Sequence, residues 1–146
     1  MTELGHMEHI ELKLCNPAGL AFDISFAGGH KITVDGREGF GGQDLGPRPM
    51  QLLLASLASC TGMDVISILQ KMRQPVEEYH IEATAEEAED HPKIFTSITI
   101  KHIVTGKVDE ERLARAIELS DTKYCPASAM LGAVAQITTE YEVHEP

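Results

Sequence analysis

Two cysteines carry the clearest chemistry that this sequence offers. Cys60 lies in the middle of LLLASLASCTGMDVISILQKMR, residues 52–73, and Cys125 lies in YCPAS. Because Pro126 suits the first position of a helix, Cys125 is expected at the N-cap, where free backbone amides and the helix dipole favour a thiolate. Cys125 is therefore interpreted either as a reactive thiol or as a small residue that fills a tight turn.

Cys60 needs a cation before it becomes a nucleophile. The amides in the middle of a helix are already bonded to carbonyls, and burial raises a thiol pKa, so Cys60 alone would be an inert packing residue. The glycine-rich segment upstream holds Arg37 and Arg48. A guanidinium beside the sulfur would stabilise a thiolate and orient a peroxide oxygen. Each arginine can instead be a solvated loop charge, which is the interpretation that the loop by itself favours.

The other candidate groups are weaker. Cys15 is expected to be structural, at the end of a strand. His102 could reach a thiol and form a Cys–His nucleophile, but no acid or oxyanion-hole motif accompanies it. No C-x2-C or H-x3-H spacing occurs, so neither a metal site nor a cofactor is predicted.

The composition describes a soluble protein of one domain. The chain has 146 residues, of which 42% are hydrophobic, and a formal net charge of -11. This acidity disfavours nucleic acid and an anionic membrane as partners. The three cysteines and the lack of an evident signal peptide indicate a reducing compartment, the cytoplasm. Residues 1–8 lack periodicity and are expected to be disordered, before one domain at 9–146.

Alternating apolar residues predict the strands that must position this chemistry. These lie in HIELKLC, LAFDISF, KITV, YHIEATA, KIFTSITIKHIV and QITTEYEV. The third strand is followed by DGREGFGGQDLGPRP, a long glycine-rich loop of the kind that often carries function. Helices are predicted at about 49–73, at 109–119 and from Pro126 onward. Together these elements predict an α+β fold.

The 49–73 helix is apolar on almost every side. A helix of this length can hardly be enclosed by one small subunit. A set of small residues would let a second backbone approach it closely: Ala55, Ser56, Ala58, Ser59 and Gly62. We therefore expect a subunit interface here, rather than a membrane span, because Ser, Thr and Asp residues interrupt the apolar run.

The segment RPMQLLLASLASCTGMDVISIL, followed later by ELSDTKYCPASAML, resembles the OsmC/Ohr family of osmotically inducible and organic hydroperoxide resistance proteins. The likeness covers roughly residues 20–143 and is closest to the YhfA-like branch of the family. It implies an OsmC-like fold, in which antiparallel sheets surround a long buried central helix. It also implies an intertwined homodimer with both active sites at the interface.

The resemblance further implies a reaction. Cys60 matches the peroxidatic cysteine, which an alkyl or fatty-acid hydroperoxide oxidises to a sulfenic acid. Cys125 matches the resolving cysteine, which closes a disulfide with it, and a lipoyl or thioredoxin-like dithiol would restore both thiols. Arg37 matches the catalytic arginine of the loop. Three residues at the helix entrance are expected to border the substrate: Arg48, Met50 and Gln51.

One stretch departs from the peroxidases of the family. Those proteins enter the helix with a Pro-Glu pair whose carboxylate holds the catalytic arginine, whereas the helix here begins PMQ. Without that carboxylate the loop arginine, Arg37 or in reserve Arg48, is expected to be less ordered and Cys60 less activated. The alternative function is therefore a non-catalytic dimer that senses oxidation or binds a small apolar ligand.

Overall fold

The structure, a computed structural model, describes residues 7–146. It consists of two compact units, one that ends at Leu52 and one that spans Leu53–Pro146. Of the segment predicted to be disordered, residues 1–6 lie outside the described part, and Met7 and Glu8 have no regular secondary structure. The prediction of one domain over residues 9–146 stays a prediction.

The first unit is built on an antiparallel sheet of three strands in chain order. These strands are β1 (Ile10–Leu14), β2 (Phe22–Phe26) and β3 (Lys31–Val34). Leu12 pairs with Ile24, and Ile24 with Ile32, so the register gathers apolar side chains on one face. Much of that face is exposed, since Leu12 is 51% and Ile32 37% accessible to solvent. An apolar face of this kind is typical of an interaction surface.

The second unit contains most of the first helix and a second sheet, in the order β4-β5-β6. Its strands are β4 (Val76–Glu87), β5 (Phe95–Gly106) and β6 (Gln136–His144). Helix α1 (Pro49–Lys71) precedes β4 in the chain. The connection from β5 to β6 runs through α2 (Glu110–Leu119), a π-helical turn (Ser120–Tyr124) and α3 (Pro126–Gly132).

One strand pairing differs from the expectation of antiparallel sheets. β4 and β5 are antiparallel, but β6 runs parallel to β5. The helical connection explains this, because a crossover returns the chain to the same end of the sheet before the next strand begins. The α+β class itself, with two small sheets and a long helix, is as predicted.

Helix α1 buries one face within the second unit. Leu57 and Leu69 are fully buried on this face. A Cβ atom on Gly62 would lie 2.5 Å from Ile81 Cδ1, so the glycine lets α1 approach β4 closely. The apolar core that joins α1 to β5 and α2 consists of Val65, Leu69, Val104, Val108, Leu113, Ala116 and Ile117.

The remaining faces of α1 are more exposed than its apolar sequence predicts. Met63 is 70% and Leu53 38% exposed, so burial on nearly every side is not found within one chain. Among the described residues, α1 is also the one helix whose length and apolar composition would suit a membrane span. Its buried stripe, however, packs into the core of a folded unit.

Candidate active site

The fold brings Cys60 and Cys125 together within the second unit. Cys60 lies midway along α1, and Cys125 stands at the N-cap of α3. The Cys60 thiol interacts with the Cys125 thiol and with the Ala127 backbone amide, and both affect its pKa. Both thiols are free. Two cysteines that are 65 positions apart in the sequence therefore share one site.

Cys125 occupies the N-terminus of a short helix, as its sequence context predicts. Pro126 follows it in the first turn, and the Ser128 N–H donates to Cys125 Sγ at 3.3 Å. The Cys125 N–H in turn donates to the Ser120 carbonyl at 2.8 Å. Only 4% of the Cys125 surface is exposed. Backbone contacts on both sides therefore fix the position of this residue.

The surroundings of Cys60 favour its neutral form. Burial raises the pKa of the Cys60 thiol, and the adjacent Cys125 and the charge of Asp64 raise it further. The Ala127 amide acts in the opposite direction, because its N–H stabilises a thiolate. These neighbours carry no positive charge, so activation of Cys60 requires an additional cation.

A chain of hydrogen bonds connects α1 to the turn that precedes Cys125. The hydroxyls of Thr61 and Ser120 lie 2.9 Å apart, and the Ser120 hydroxyl donates to the Asp64 carboxylate at 3.0 Å. Because a hydroxyl has one hydrogen to donate, Thr61 is the donor to Ser120. Sequence reasoning missed Thr61 and Ser120, since their contact joins positions 59 residues apart and leaves no local pattern.

The loop that carries Arg37 is organised by a buried carboxylate, that of Asp35. This carboxylate accepts hydrogen bonds from the backbone amides of Gly36 at 2.7 Å, Gln43 at 3.0 Å and Leu45 at 3.2 Å. Burial acts to raise the pKa of Asp35, but the three amides outweigh it and the pKa is lowered. Asp35 is a third residue that sequence reasoning missed.

The backbone of this loop folds tightly beside Arg37. The Arg37 carbonyl accepts hydrogen bonds from the N–H groups of Phe40 at 3.2 Å and Gly42 at 3.1 Å. A Cβ atom on Gly42 would lie 2.1 Å from the Gly36 oxygen, so only glycine fits there. The side chain of Arg37 is exposed. The loop therefore presents an arginine from an ordered backbone.

Arg48, Met50 and Gln51 lie where α1 begins. Gln51 Oε1 accepts a hydrogen bond from the Arg48 N–H at 3.0 Å, which is one half of a capping box. These residues and Arg37 belong to the first unit, whereas both thiols belong to the second. The predicted approach of an arginine to Cys60 and the predicted substrate contacts therefore stay predictions.

His102 is paired with a tyrosine rather than with a thiol. Its Nδ1 shares a hydrogen bond with the Tyr79 hydroxyl, and the two rings stack with centroids 5.9 Å apart. Burial lowers the pKa of His102 to about 4, so the ring is neutral near pH 7. Within residues 7–146, no group of three or more His, Cys, Asp or Glu side chains is placed to hold a metal ion.

A cleft of about 430 Å³ begins at Asp64, one helical turn beyond Cys60. Its apolar lining comes from Ile68, Met72, Leu119 and Tyr124, with Ser67 and Lys71 as further polar groups. The walls are contributed by α1 and the residue that follows it, Met72, by α2 and by the π-helical turn. The cleft could accommodate an apolar chain with one polar end.

Known proteins resemble this chain in sequence and in fold. The family described as "OsmC-like protein" matches residues 41–140. Protein YhfA of Escherichia coli strain K12 is 41% identical over 126 residues, which cover 86% of this chain and 91% of YhfA. The crystal structure of a hypothetical protein from Aquifex aeolicus VF5 is 36% identical with a TM-score of 0.85, covering 97% of this chain and 98% of that one. The structure of an organic hydroperoxide resistance protein OsmC from Legionella pneumophila is 12% identical in sequence, with a TM-score of 0.70. The match covers 96% of this chain and 99% of that one, so the two proteins share a fold.

Proposed function

This chain belongs to the OsmC-like protein family, and on that premise we propose that it is a thiol-dependent peroxidase of organic hydroperoxides. The contact between Cys60 and Cys125 carries the proposal. A reductase of this type needs two thiols that can close a disulfide and reopen it. Structural neighbours from Legionella pneumophila and Bacillus subtilis are named as organic hydroperoxide resistance proteins, which supports a peroxide as the oxidant.

The first step of the proposed reaction oxidises Cys60. Its thiolate attacks the terminal oxygen of the hydroperoxide, so that an S–O bond forms while the O–O bond breaks. The departing alkoxide takes up a proton and leaves as an alcohol. Cys60 is left as a sulfenic acid, which a nearby thiol can reduce.

The second step closes the disulfide. The Cys125 sulfur attacks the sulfur of the Cys60 sulfenic acid, the S–S bond forms, and the hydroxyl leaves with a proton as water. Because the two thiols already interact in the folded chain, this step is proposed to need little rearrangement of α1 or α3. A lipoyl or thioredoxin-like dithiol then reduces the disulfide by exchange and is itself oxidised.

Arg37 is proposed to supply the positive charge that the neighbours of Cys60 lack. A guanidinium close to the sulfur would lower the raised pKa of Cys60 and hold the peroxide oxygen for attack. The ordered loop backbone supports this role, since an anchored residue loses less conformational freedom when its side chain is fixed. Arg48 is the reserve cation, and with Met50 and Gln51 it would border the substrate.

The cleft beside Asp64 favours an apolar substrate. Its lining of Ile68, Met72 and Leu119 would bury an alkyl chain whose peroxide group reaches Cys60. Hydrogen peroxide has no such chain and would gain nothing from this surface. Alkyl or fatty-acid hydroperoxides are therefore the proposed substrate class.

We further propose that the protein acts as a homodimer in the cytoplasm. The exposed apolar residues of the first sheet, among them Ile10, Leu12 and Phe22, form a surface that a second copy would cover. Met63 and Leu53 on α1 are further exposed apolar residues. Three free cysteines suit a reducing compartment.

A second candidate function is a non-catalytic redox sensor, or a carrier of a small apolar ligand, with the same fold. The raised pKa of Cys60 favours this candidate, because a neutral thiol reacts slowly with peroxide. The missing carboxylate at the helix entrance, which reads PMQ, favours it as well. A sensor would still form the disulfide, but it would not turn over.

Steady-state turnover of cumene hydroperoxide with a dithiol reductant separates the two functions. A peroxidase consumes many equivalents, Cys60→Ser stops consumption, and Arg37→Met slows it by about tenfold or more through loss of charge stabilisation. Cys15→Ser removes a thiol at an exposed position and serves as the matched control, with unchanged turnover. Consumption that ends after one equivalent in the presence of reductant would instead favour the sensor.

A further inference from the structure

Ser120 is bonded to both halves of the thiol site. Its carbonyl accepts the Cys125 N–H at 2.8 Å. Its hydroxyl donates to the Asp64 carboxylate at 3.0 Å and accepts from Thr61 at 2.9 Å. Thr61 directly follows Cys60 in the chain, and Asp64 lies one helical turn beyond it. One residue therefore links the helix that carries Cys60 to the turn that ends at Cys125.

We propose that Ser120 is a positioning residue, which sets the separation and direction of the Cys60 and Cys125 sulfurs and thereby the ease with which they form a disulfide. The inference deepens the proposed peroxidase function and rests on it for its biological role. The Ser120 hydroxyl bonds to Thr61 and Asp64 rather than to either sulfur. Ser120 acts through the Cys125 backbone on one side and through Thr61 and Asp64 on the other.

The hydroxyl contacts of Ser120 are buried and directional. Ser120 is fully buried and Thr61 is 1% exposed, so neither hydroxyl can exchange its partner for solvent without a local opening. Apolar packing holds α1 against the core but has no preferred direction. Hydrogen bonds constrain both distance and angle, which suits them to fix the register between α1 and the π-helical turn.

The π-helical turn connects this anchor to Cys125. It spans Ser120–Tyr124, between the end of α2 and Cys125, with a wider ring than an α-helix. Cys125 follows directly, so the attachment of this turn to α1 through Ser120 contributes to the position of its sulfur. Because the attachment is made at Ser120, the anchor lies at the start of the turn and the backbone bond to Cys125 closes its end.

Only one chemical step depends on this geometry. Of the two thiols, only Cys60 takes part in the reaction with a hydroperoxide, which yields an alcohol and a sulfenic acid. Closure of the disulfide requires Cys125 to approach along the S–O axis of Cys60 as water leaves. Loss of the Ser120 hydroxyl is therefore expected to slow closure and to spare oxidation.

The first test measures the effective concentration of the Cys60–Cys125 pair at equilibrium in a glutathione redox buffer, in a Cys15→Ser background. Ser120→Ala is expected to lower it by about tenfold or more, since small displacements of reacting groups have effects of this size. Thr61→Val removes the hydroxyl donor at nearly constant volume and should also lower the effective concentration. Thr61→Ser keeps the hydroxyl and should retain the parent value. Val108→Ala, a substitution in the apolar core, is the control and should leave the effective concentration unchanged.

The second test follows one equivalent of cumene hydroperoxide with rapid quenching and dimedone trapping. In Ser120→Ala, sulfenic acid on Cys60 should form at the parent rate but persist as the dimedone adduct, while the disulfide appears about tenfold more slowly. Unchanged effective concentration and closure rate in both Ser120→Ala and Thr61→Val would overturn the assignment. If the parent Cys60 fails to react with hydroperoxide, the peroxidase proposal fails, and the glutathione equilibrium still decides the role of Ser120.

Discussion

At the level of single residues, Cys60 is a thiol whose neighbours oppose its ionisation. Burial is the largest cause of its raised pKa, followed by the contact with Cys125 and then by Asp64. Thiolate, rather than thiol, is the nucleophile towards a peroxide. The reactivity of Cys60 near neutral pH is thus set by how far a cation offsets these neighbours.

Replacing Asp64 by asparagine is expected to lower the pKa of Cys60. The substitution removes a negative charge that disfavours the thiolate, while the amide oxygen can still accept the hydrogen bond from Ser120. The pH profile of Cys60 alkylation by iodoacetamide, in a background of Cys15→Ser and Cys125→Ser, should shift to lower pH. Glu118→Gln, which removes a negative charge at an exposed position on α2, is the control. A profile that does not move in Asp64→Asn would show that this charge does not act on Cys60.

The sequence reveals these residues unequally. The N-cap position of Cys125 follows from Pro126 beside it, because capping is a local interaction between neighbouring residues. The contact of Thr61 with Ser120 depends instead on how α1 meets the π-helical turn, which no local pattern encodes. Asp64 is visible in the sequence as a polar residue on an apolar helix, but its influence on Cys60 emerges only with the fold.

At the level of elements, the second sheet holds a buried, neutral histidine. His102 on β5 is fully buried and faces Tyr79 on β4. Its Nε2 is, within residues 7–146, a buried polar atom without a hydrogen-bond partner. Protonation of this ring would place a charge in the core of the sheet, which burial strongly disfavours.

The stability of the fold is therefore expected to fall on acidification, partly through His102. Its pKa drops from 6.5 to about 4 on folding. Below pH 6.5 His102 binds a proton in the unfolded chain, whereas in the folded chain it stays neutral down to about pH 4. The free energy of unfolding therefore decreases by roughly 3 kcal/mol as the pH falls across this window. Below about pH 4 both states bind the proton, and this loss levels off.

His102→Gln tests this contribution, since glutamine does not titrate and can still bond to Tyr79. Urea unfolding at several pH values should show a shallower pH dependence between 6.5 and 4 in the variant than in the parent chain. His80→Gln, at an exposed position on β4, should retain the parent dependence. Equal slopes in the parent and in His102→Gln would contradict a neutral buried His102.

Elements were more predictable than their pairing. The alternation of apolar and polar residues predicts all six strands, and the apolar pattern predicts a helix from Pro49. Both patterns arise from burial along a single element. The parallel pairing of β6 with β5 was not predicted, since direction depends on the whole connection between two strands. The glycines predict the loop around Arg37. The organising role of Asp35 is not predictable from its neighbours, because it depends on hydrogen bonds with residues as distant in the chain as Leu45.

At the level of the whole molecule, the apolar face of the first sheet is exposed in the single chain, and the proposed homodimer would cover it. Leu12→Glu would place a charge on that face, whereas Lys13→Glu alters the opposite face of the same strand and is the matched control. Sedimentation velocity of the parent chain and of Lys13→Glu should show a particle of twice the 16.0 kDa chain mass, and Leu12→Glu should shift it toward the single chain. A parent chain that sediments as a monomer at micromolar concentration would contradict the homodimer.

Peptide mapping by mass spectrometry after one equivalent of cumene hydroperoxide tests the pairing of the two thiols most directly. The predicted product is a chain in which Cys60 and Cys125 are joined by an intrachain disulfide, Cys15 remains free, and one equivalent of alcohol has formed. Cys60 and Cys125 that both remain free thiols, with the hydroperoxide unconsumed, would contradict a redox function for this site.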